Sequence, residues 1–202
     1  MPNWCSIRQR KLPALPTETK ALAKALIGWR LVRNSDRGSA GGRIVETEAY
    51  LLDDPASHAY RGISARNRAM FGPPFRAYVY LIYGQHWCVN VTSESDGHGA
   101  AVLIRALEPE DGIALMRARR GVDDVRLLCR GPARLCQALD IDRAFDGADL
   151  LHGAQLQLLP PQRPASKTQA SRRIGISAAA HRLLRFYESG SAFVSGPKKL
   201  SP

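Results

Sequence analysis

The sequence predicts an α+β fold: a single domain with a curved, mainly antiparallel mixed sheet, flanking helices and a protruding β-hairpin. Segments with strand character outnumber those with helical spacing, and most links between successive strands are too short for the crossover that a parallel pair needs. The 202 residues are 45% hydrophobic and 23% charged, ordinary globular usage that supports a buried core and argues against disorder, collagen and disulfide scaffolds.

Thr17 to Gly28 reads as a helix, opened by Pro16 and Thr17, with Leu22, Ala25 and Leu26 on one face and Gly28 as its stop. Trp29 to Arg33 reads as a strand. Asn34 to Gly42 is turn-rich, and Arg43 to Tyr50 resumes extended structure, so the two strands form a long hairpin. Strict alternation then puts Ile44, Glu46, Glu48 and Tyr50 on one face and Val45, Thr47 and Ala49 on the other. A second hairpin joins Tyr78–Tyr83 to Trp87–Thr92, both aromatic and β-branched, through Gly84-Gln85-His86. Ala101 to Leu107 adds a strand. Glu110–Arg120, Pro132–Leu139 and Ala178–Leu184 carry helical spacing, while Gln155–Leu159 and Arg173–Ile176 read as short strands.

Residues 1–16 are expected as a loosely ordered arm, 17–196 as the domain and 197–202 as a solvated tail, with Pro160–Ser171 as a flexible insert. No apolar run approaches the ~20 residues of a spanning helix, and the first residues lack the apolar stretch of a secretory signal, so no membrane partner and a cytoplasmic location are expected. Cys5, Cys88, Cys129 and Cys136 show no Cys-x-x-Cys spacing and read as small buried hydrophobes.

The net charge of +11 predicts attraction to a polyanion. Residues 1–45 hold 9 basic and 2 acidic side chains and residues 160–202 hold 8 and 1, whereas the middle holds 12 and 15. Within that middle, Pro55 to Ser93 contains no acid and carries Arg61, Arg66, Arg68 and Arg76, side chains suited to forked phosphate contacts.

Glu46 and Glu48 lie two apart beside Tyr50, where a carboxylate near an aromatic face can have a raised pKa and act as a base; the spacing itself leaves the two equivalent and equally fits solvated or ion-paired residues. His58 reads as a hydrogen-bonding loop residue, and Asp53 and Asp54 as turn caps in preference to metal ligands. Tyr78, Tyr80, Tyr83 and Trp87 form an aromatic cluster that is either strand core or a base-stacking surface. Tyr83, next to Gly84, projects at the hairpin tip, as a wedge between bases requires. The phosphate-binding glycine loops, the Gly-x-Ser-x-Gly elbow and the zinc deaminase pattern are all absent from the sequence.

Gly42-Arg-Ile-Val-Glu-Thr-Glu-Ala-Tyr50 followed by Ser57-His-Ala-Tyr-Arg-Gly62 resembles the alkyladenine (3-methyladenine) DNA glycosylases of the animal and bacterial type. Met70-Phe-Gly-Pro-Pro74, Ala77–Gly84, Val102–Pro109, Gly131–Leu139, Arg173-Ile-Gly-Ile176 and Leu184-Arg-Phe-Tyr187 continue the match in order, from about Leu22 to Gly196.

The resemblance implies a monofunctional base-excision-repair enzyme. It would flip a damaged purine nucleotide out of double-stranded DNA and hydrolyse the N-glycosidic bond, leaving an abasic site. It also implies Glu48 as the general base that activates water, with Arg105 and the backbone carbonyl of Ile174 holding that water. Tyr50 and His58 would stack on one side of the base and Tyr80 on the other, while Asn90 crowds the exocyclic amino group of normal guanine. Tyr83 would fill the gap in the duplex, with Gln85 and His86 in the minor groove and Arg66 and Arg68 on phosphates. No metal or cofactor is implied, and a monomer is expected.

The chain departs from the family pattern at Phe75, where bacterial relatives usually carry the second glycine of Gly-Pro-Pro-Gly, at Leu52, and at Gln85-His-Trp87. The competing class is a non-catalytic DNA- or RNA-binding module using the same basic, tyrosine-rich surface.

Overall fold

The computed structural model describes residues 14–197; the expectations for the first dozen residues, Cys5 and residues 198–202 lie outside them. The first helix, α1 (Thr19–Ala25), begins two residues later than its sequence pattern. Glu18 sets that start, its carboxylate accepting from the amides of Lys20 and Ala21 at 2.9 and 2.6 Å.

Strands β1 (Arg30–Ser35) and β2 (Gly38–Tyr50) form the first hairpin. Its connector is a tight turn at Asp36-Arg37, far shorter than the stretch Asn34–Gly42 expected from turn-type residues. Gly41 and Gly42 lie inside β2, where a Cβ on Gly42 would sit 2.2 Å from the Glu108 carbonyl oxygen. These glycines serve a close strand crossing instead of a turn.

β2 is the spine of an eight-stranded sheet that curls into a half-barrel. One edge pairs with β5 (Ala101–Asp111). The other pairs first with β1 and then, over Glu46–Glu48, with β8 (Arg185–Glu188). On the β5 edge, register shifts on either side of Glu46 break the expected alternation. Ile44 packs in the main core with Ala49, while Val45 joins a separate cluster with Ala106, Tyr187 and Val194. Ile44 therefore does not share a face with Glu46 and Glu48.

The second hairpin, β3 (Ala77–Ile82) and β4 (His86–Thr92), turns through Tyr83-Gly84-Gln85, with φ of 53° at Tyr83 and 70° at Gly84. The sheet order is β3-β4-β5-β2-β1-β6, with β6 at Leu156–Leu159 and β7 (Thr168–Ser171) on β8. Every ladder between these strands is antiparallel. Helix α1 and the Pro132–Leu139 helix (α4) pack on the sheet, burying Leu22, Leu26, Ile104, Leu107, Leu135 and Leu139.

Other expectations need correction. Helix α2 spans Ile113–Arg120 only, because Glu110 and Asp111 stay in β5 as partners of the Arg30 guanidinium. A short helix α3 (Val125–Leu128), capped by Asp124, has no counterpart among the expected elements. Residues 178–181 form a turn, with Ala179 at φ 49°, 182–184 are not helical, and Arg173–Ile176 is irregular backbone. The insert expected to be flexible ends in β7, and the Ser166 amide donates to Glu188 at 2.8 Å.

Phe75 keeps the left-handed backbone that a glycine would adopt freely, with φ 65°, at a cost of about 1–2 kcal/mol. Its partly buried ring packs against the core, and its amide donates to the Thr92 carbonyl at 2.9 Å. Cys88, Cys129 and Cys136 are buried and free, as small core residues.

Candidate active site

The bulge in β2 delivers two carboxylates to the sheet interior, and neither is exposed to solvent. Glu46 Oε1 accepts from Arg105 Nε at 3.2 Å and Arg185 Nε at 2.5 Å, and its Oε2 accepts from the Ser195 amide at 2.7 Å. Glu48 Oε1 accepts from the Ile174 amide at 2.8 Å, and Oε2 from the Tyr50 hydroxyl at 3.0 Å, with Arg105 Nη1 at 3.1 Å. Arg105 thus bridges both acids and donates to Ser195 Oγ at 3.3 Å. The two glutamates, equivalent by spacing, differ by environment. Glu46 is locked between two guanidiniums and a backbone amide, whereas the partners of Glu48 border open space.

That space is a cavity of about 210 Å³. Tyr50, Arg105 and Ile174, the partners of Glu48, line it together with His58, Tyr78, Tyr80, Cys88 and Asn90. Burial pushes the Glu48 carboxyl above the usual carboxylate range; Arg105, the Ile174 amide and the Tyr50 hydroxyl pull the other way, and the Glu46 charge adds to the rise. Burial likewise pushes up the Tyr50 and Tyr80 phenols, and holds Tyr78 at about 12. These rings are hydrogen-bonding neutral surfaces at neutral pH.

Tyr78 and Tyr80 stack at 5.3 Å between centroids, and His58 meets Tyr80 edge-on at 4.5 Å. The His58 Nδ1 pairs with the Tyr78 hydroxyl at 2.9 Å. Partial burial and then the Arg66 charge lower the imidazole pKa, which keeps it uncharged near neutrality. Asn90, buried beneath, donates from Nδ2 to the Tyr78 carbonyl at 3.0 Å, which orients its amide.

Tyr83 is 82% exposed at the hairpin tip, with Gln85 and His86 exposed beside it. Arg66, also exposed, donates to the Leu81 carbonyl at 3.0 Å and stands 5.8 Å from the Tyr80 ring centroid, so the arginine island is tied to the tyrosine hairpin. Arg68 is exposed at the start of the 3-10 turn Arg68–Phe71. The structure therefore joins the candidates into two groups: a buried acid with an aromatic cavity, and an exposed basic hairpin face.

Several site residues carried no signal of a role. Arg185 and Ser195 hold Glu46, although nearly 140 residues or more separate them from it in sequence. Asp54, read as a turn cap, does accept from the Ala56 amide at 3.0 Å, but its carboxylate also forms a buried two-pronged pair with Arg173. Ile174 presents its amide to Glu48, a contact additional to the carbonyl role that the resemblance implied.

The family model of methylpurine-DNA glycosylases matches residues 14–192. A protein of Mesorhizobium japonicum, provisionally named a 3-methyladenine DNA glycosylase, is 52% identical over 92% of this chain and 89% of its own length. Proteins of the same provisional name are 49% identical in Nitrosospira multiformis, over 87% of this chain and 88% of theirs, and 50% identical in Methanoculleus marisnigri, over 88% and 94%.

Proposed function

The chain belongs to the methylpurine-DNA glycosylase family and is a DNA glycosylase, a hydrolase acting on N-glycosyl bonds, and from that premise we propose that it removes damaged purines from duplex DNA by flipping them into the aromatic cavity. The carrying observation is the buried Glu48 carboxylate, held by Arg105, Ile174 and Tyr50, three residues that line the cavity.

Flipping is required because the anomeric carbon is shielded inside the stack. Glu48 takes a proton from a water as its oxygen bonds to that carbon, and the electron pair of the broken bond leaves with the base. Arg105 and the Ile174 carbonyl hold the water, while the Ile174 amide fixes the carboxylate. Tyr50 and His58 take one face of the base and Tyr80 the other. Because His58 touches Tyr80 edge-on in the free protein, the imidazole swings aside as the purine enters. Asn90, with its amide oriented by Tyr78, rejects normal guanine sterically. The protein acts as a monomer on chromosomal DNA, with Arg66 and Arg68 on phosphates.

The test is single-turnover incubation of EDTA-treated protein with duplexes carrying one hypoxanthine, one ethenoadenine or one methylated purine, followed by alkaline cleavage. Strand breaks at one or more lesions are expected; intact strands with tight lesion binding would instead establish a non-catalytic module.

Tyr83 is proposed to fill the gap left by the flipped nucleotide. Its exposed ring stabilises no core, so Tyr83→Ala is expected to leave stability within about 0.5 kcal/mol. Lesion-duplex affinity should fall by about tenfold, since stacking is worth roughly 1–3 kcal/mol per base. Unchanged affinity in a fluorescence anisotropy titration would remove that role.

A further inference from the structure

Arg173 has no place in the chemistry described above, yet its side chain is wholly buried. Asp54 holds it with both carboxylate oxygens, and the Ala49 carbonyl accepts from Nη1 at 3.0 Å. Its Nε has no hydrogen-bond partner. The guanidinium carbon lies 4.6 Å from the centroid of the Tyr50 ring. Tyr50 lines the cavity and Arg173 does not. With the guanidinium over one face of the ring, a base that stacks on Tyr50 takes the other face.

A π face attracts a cation through its negative potential, and that attraction is partly consumed when a cation already occupies the opposite face. A purine alkylated at a ring nitrogen arrives at the free face as a cation and meets residual repulsion from Arg173 across the ring. A neutral damaged purine meets none. Arg66 over Tyr80 is exposed, so solvent screens it far more than the buried Arg173.

We propose that Arg173 is a specificity residue acting through Tyr50: its guanidinium behind the ring lowers the preference for cationic over neutral damaged purines. The proposal rests on the assignment of Tyr50 as a stacking surface made above. Arg173 does not touch the substrate, so the diagnostic quantity is a ratio between two lesions, which a merely structural role would leave unchanged.

The experiment compares single-turnover rate constants, at subsaturating protein, for 7-methylguanine and hypoxanthine in otherwise identical duplexes. Arg173→Met with Asp54→Asn removes the cation without stranding a buried carboxylate, and should raise the ratio of cationic to neutral excision by about three- to tenfold, the range expected of a single partly compensated charge across a ring. Asp54→Asn alone leaves the guanidinium uncompensated and should lower the same ratio. Arg173→Lys keeps the charge and should hold the ratio within about twofold of the native protein, whatever it does to both rates.

Opposite shifts in the two charge-altering variants support the proposal, and if the double variant does not fold, the direction of the Asp54→Asn shift decides. Parallel loss of both activities at constant ratio, or a shift in the reverse direction, overturns it. Failure of the native protein to release either base would overturn the proposed function instead, which keeps the two outcomes distinct.

Discussion

Glu48→Gln is expected to reduce base release by about a hundred- to ten-thousandfold while leaving lesion-duplex affinity within about tenfold of the native protein, because a positioned general base contributes roughly 10²–10⁴ in rate and the amide removes the base without removing any stacking surface. The substitution is nearly isosteric, and its amide oxygen can still accept from Ile174. The environment of Glu48 adds a pH signature. The general base must be ionised, and burial raises the pKa of this carboxyl. The native rate should therefore fall on the acid side at a higher pH than an ordinary carboxylate would give, while the residual rate of the Gln variant lacks that limb. Single-turnover rates from pH 4 to 8, paired with anisotropy titrations, measure both. A Gln variant with near-native turnover would show that another group activates the water.

Glu46→Ala is expected to be the most destabilising single substitution in the site. It removes a carboxylate from Arg185, whose side chain has no solvent exposure and would keep its bonds to Ser171 Oγ and the Ser195 carbonyl, and one of the two carboxylates that hold Arg105. It also deprives the buried Ser195 amide of its acceptor. Breaking a buried ion pair by removing one partner costs about 3–5 kcal/mol. At roughly 2–4 °C per kcal/mol for a chain of this size, the Tm should drop by about 6–20 °C. Glu46→Gln, which keeps an acceptor oxygen, should fall between the two. Thermal unfolding followed by circular dichroism separates them; a drop below about 1 kcal/mol for the alanine variant would mean that the network contributes little.

The two glutamates show how far a sequence pattern reaches. Alternation marks Glu46, Glu48 and Tyr50 as neighbours on one strand face, and the Tyr50 hydroxyl does reach Glu48. The pattern fails at Ile44, because alternation presupposes a constant register and β2 bulges against β5 between Ile44 and Thr47. The hairpin tip was readable for a local reason: Tyr83-Gly84 needs left-handed backbone, and a turn residue has nowhere to bury its ring. Ala178–Leu184 shows the opposite case, in which helical spacing lacked the length and packing to become a helix.

The amino-acid sequence by itself determined the fold class, the two hairpins, the basic and acid-free stretch around the tyrosines, and, through the resemblance that its ordered motifs carry, the family. Each is a property of local pattern or of residues close in the chain. Tertiary structure alone decided which carboxylate is locked in an ion-pair network and which is held by residues that line the cavity, and that Arg173 packs over the Tyr50 ring. Those facts depend on partners 119–149 positions apart, such as Asp54 with Arg173, Glu48 with Ile174, and Glu46 with Arg185 and Ser195. A buried charge is tolerated only where a distant part of the chain supplies its counter-charge, so its role is set by the folded neighbourhood.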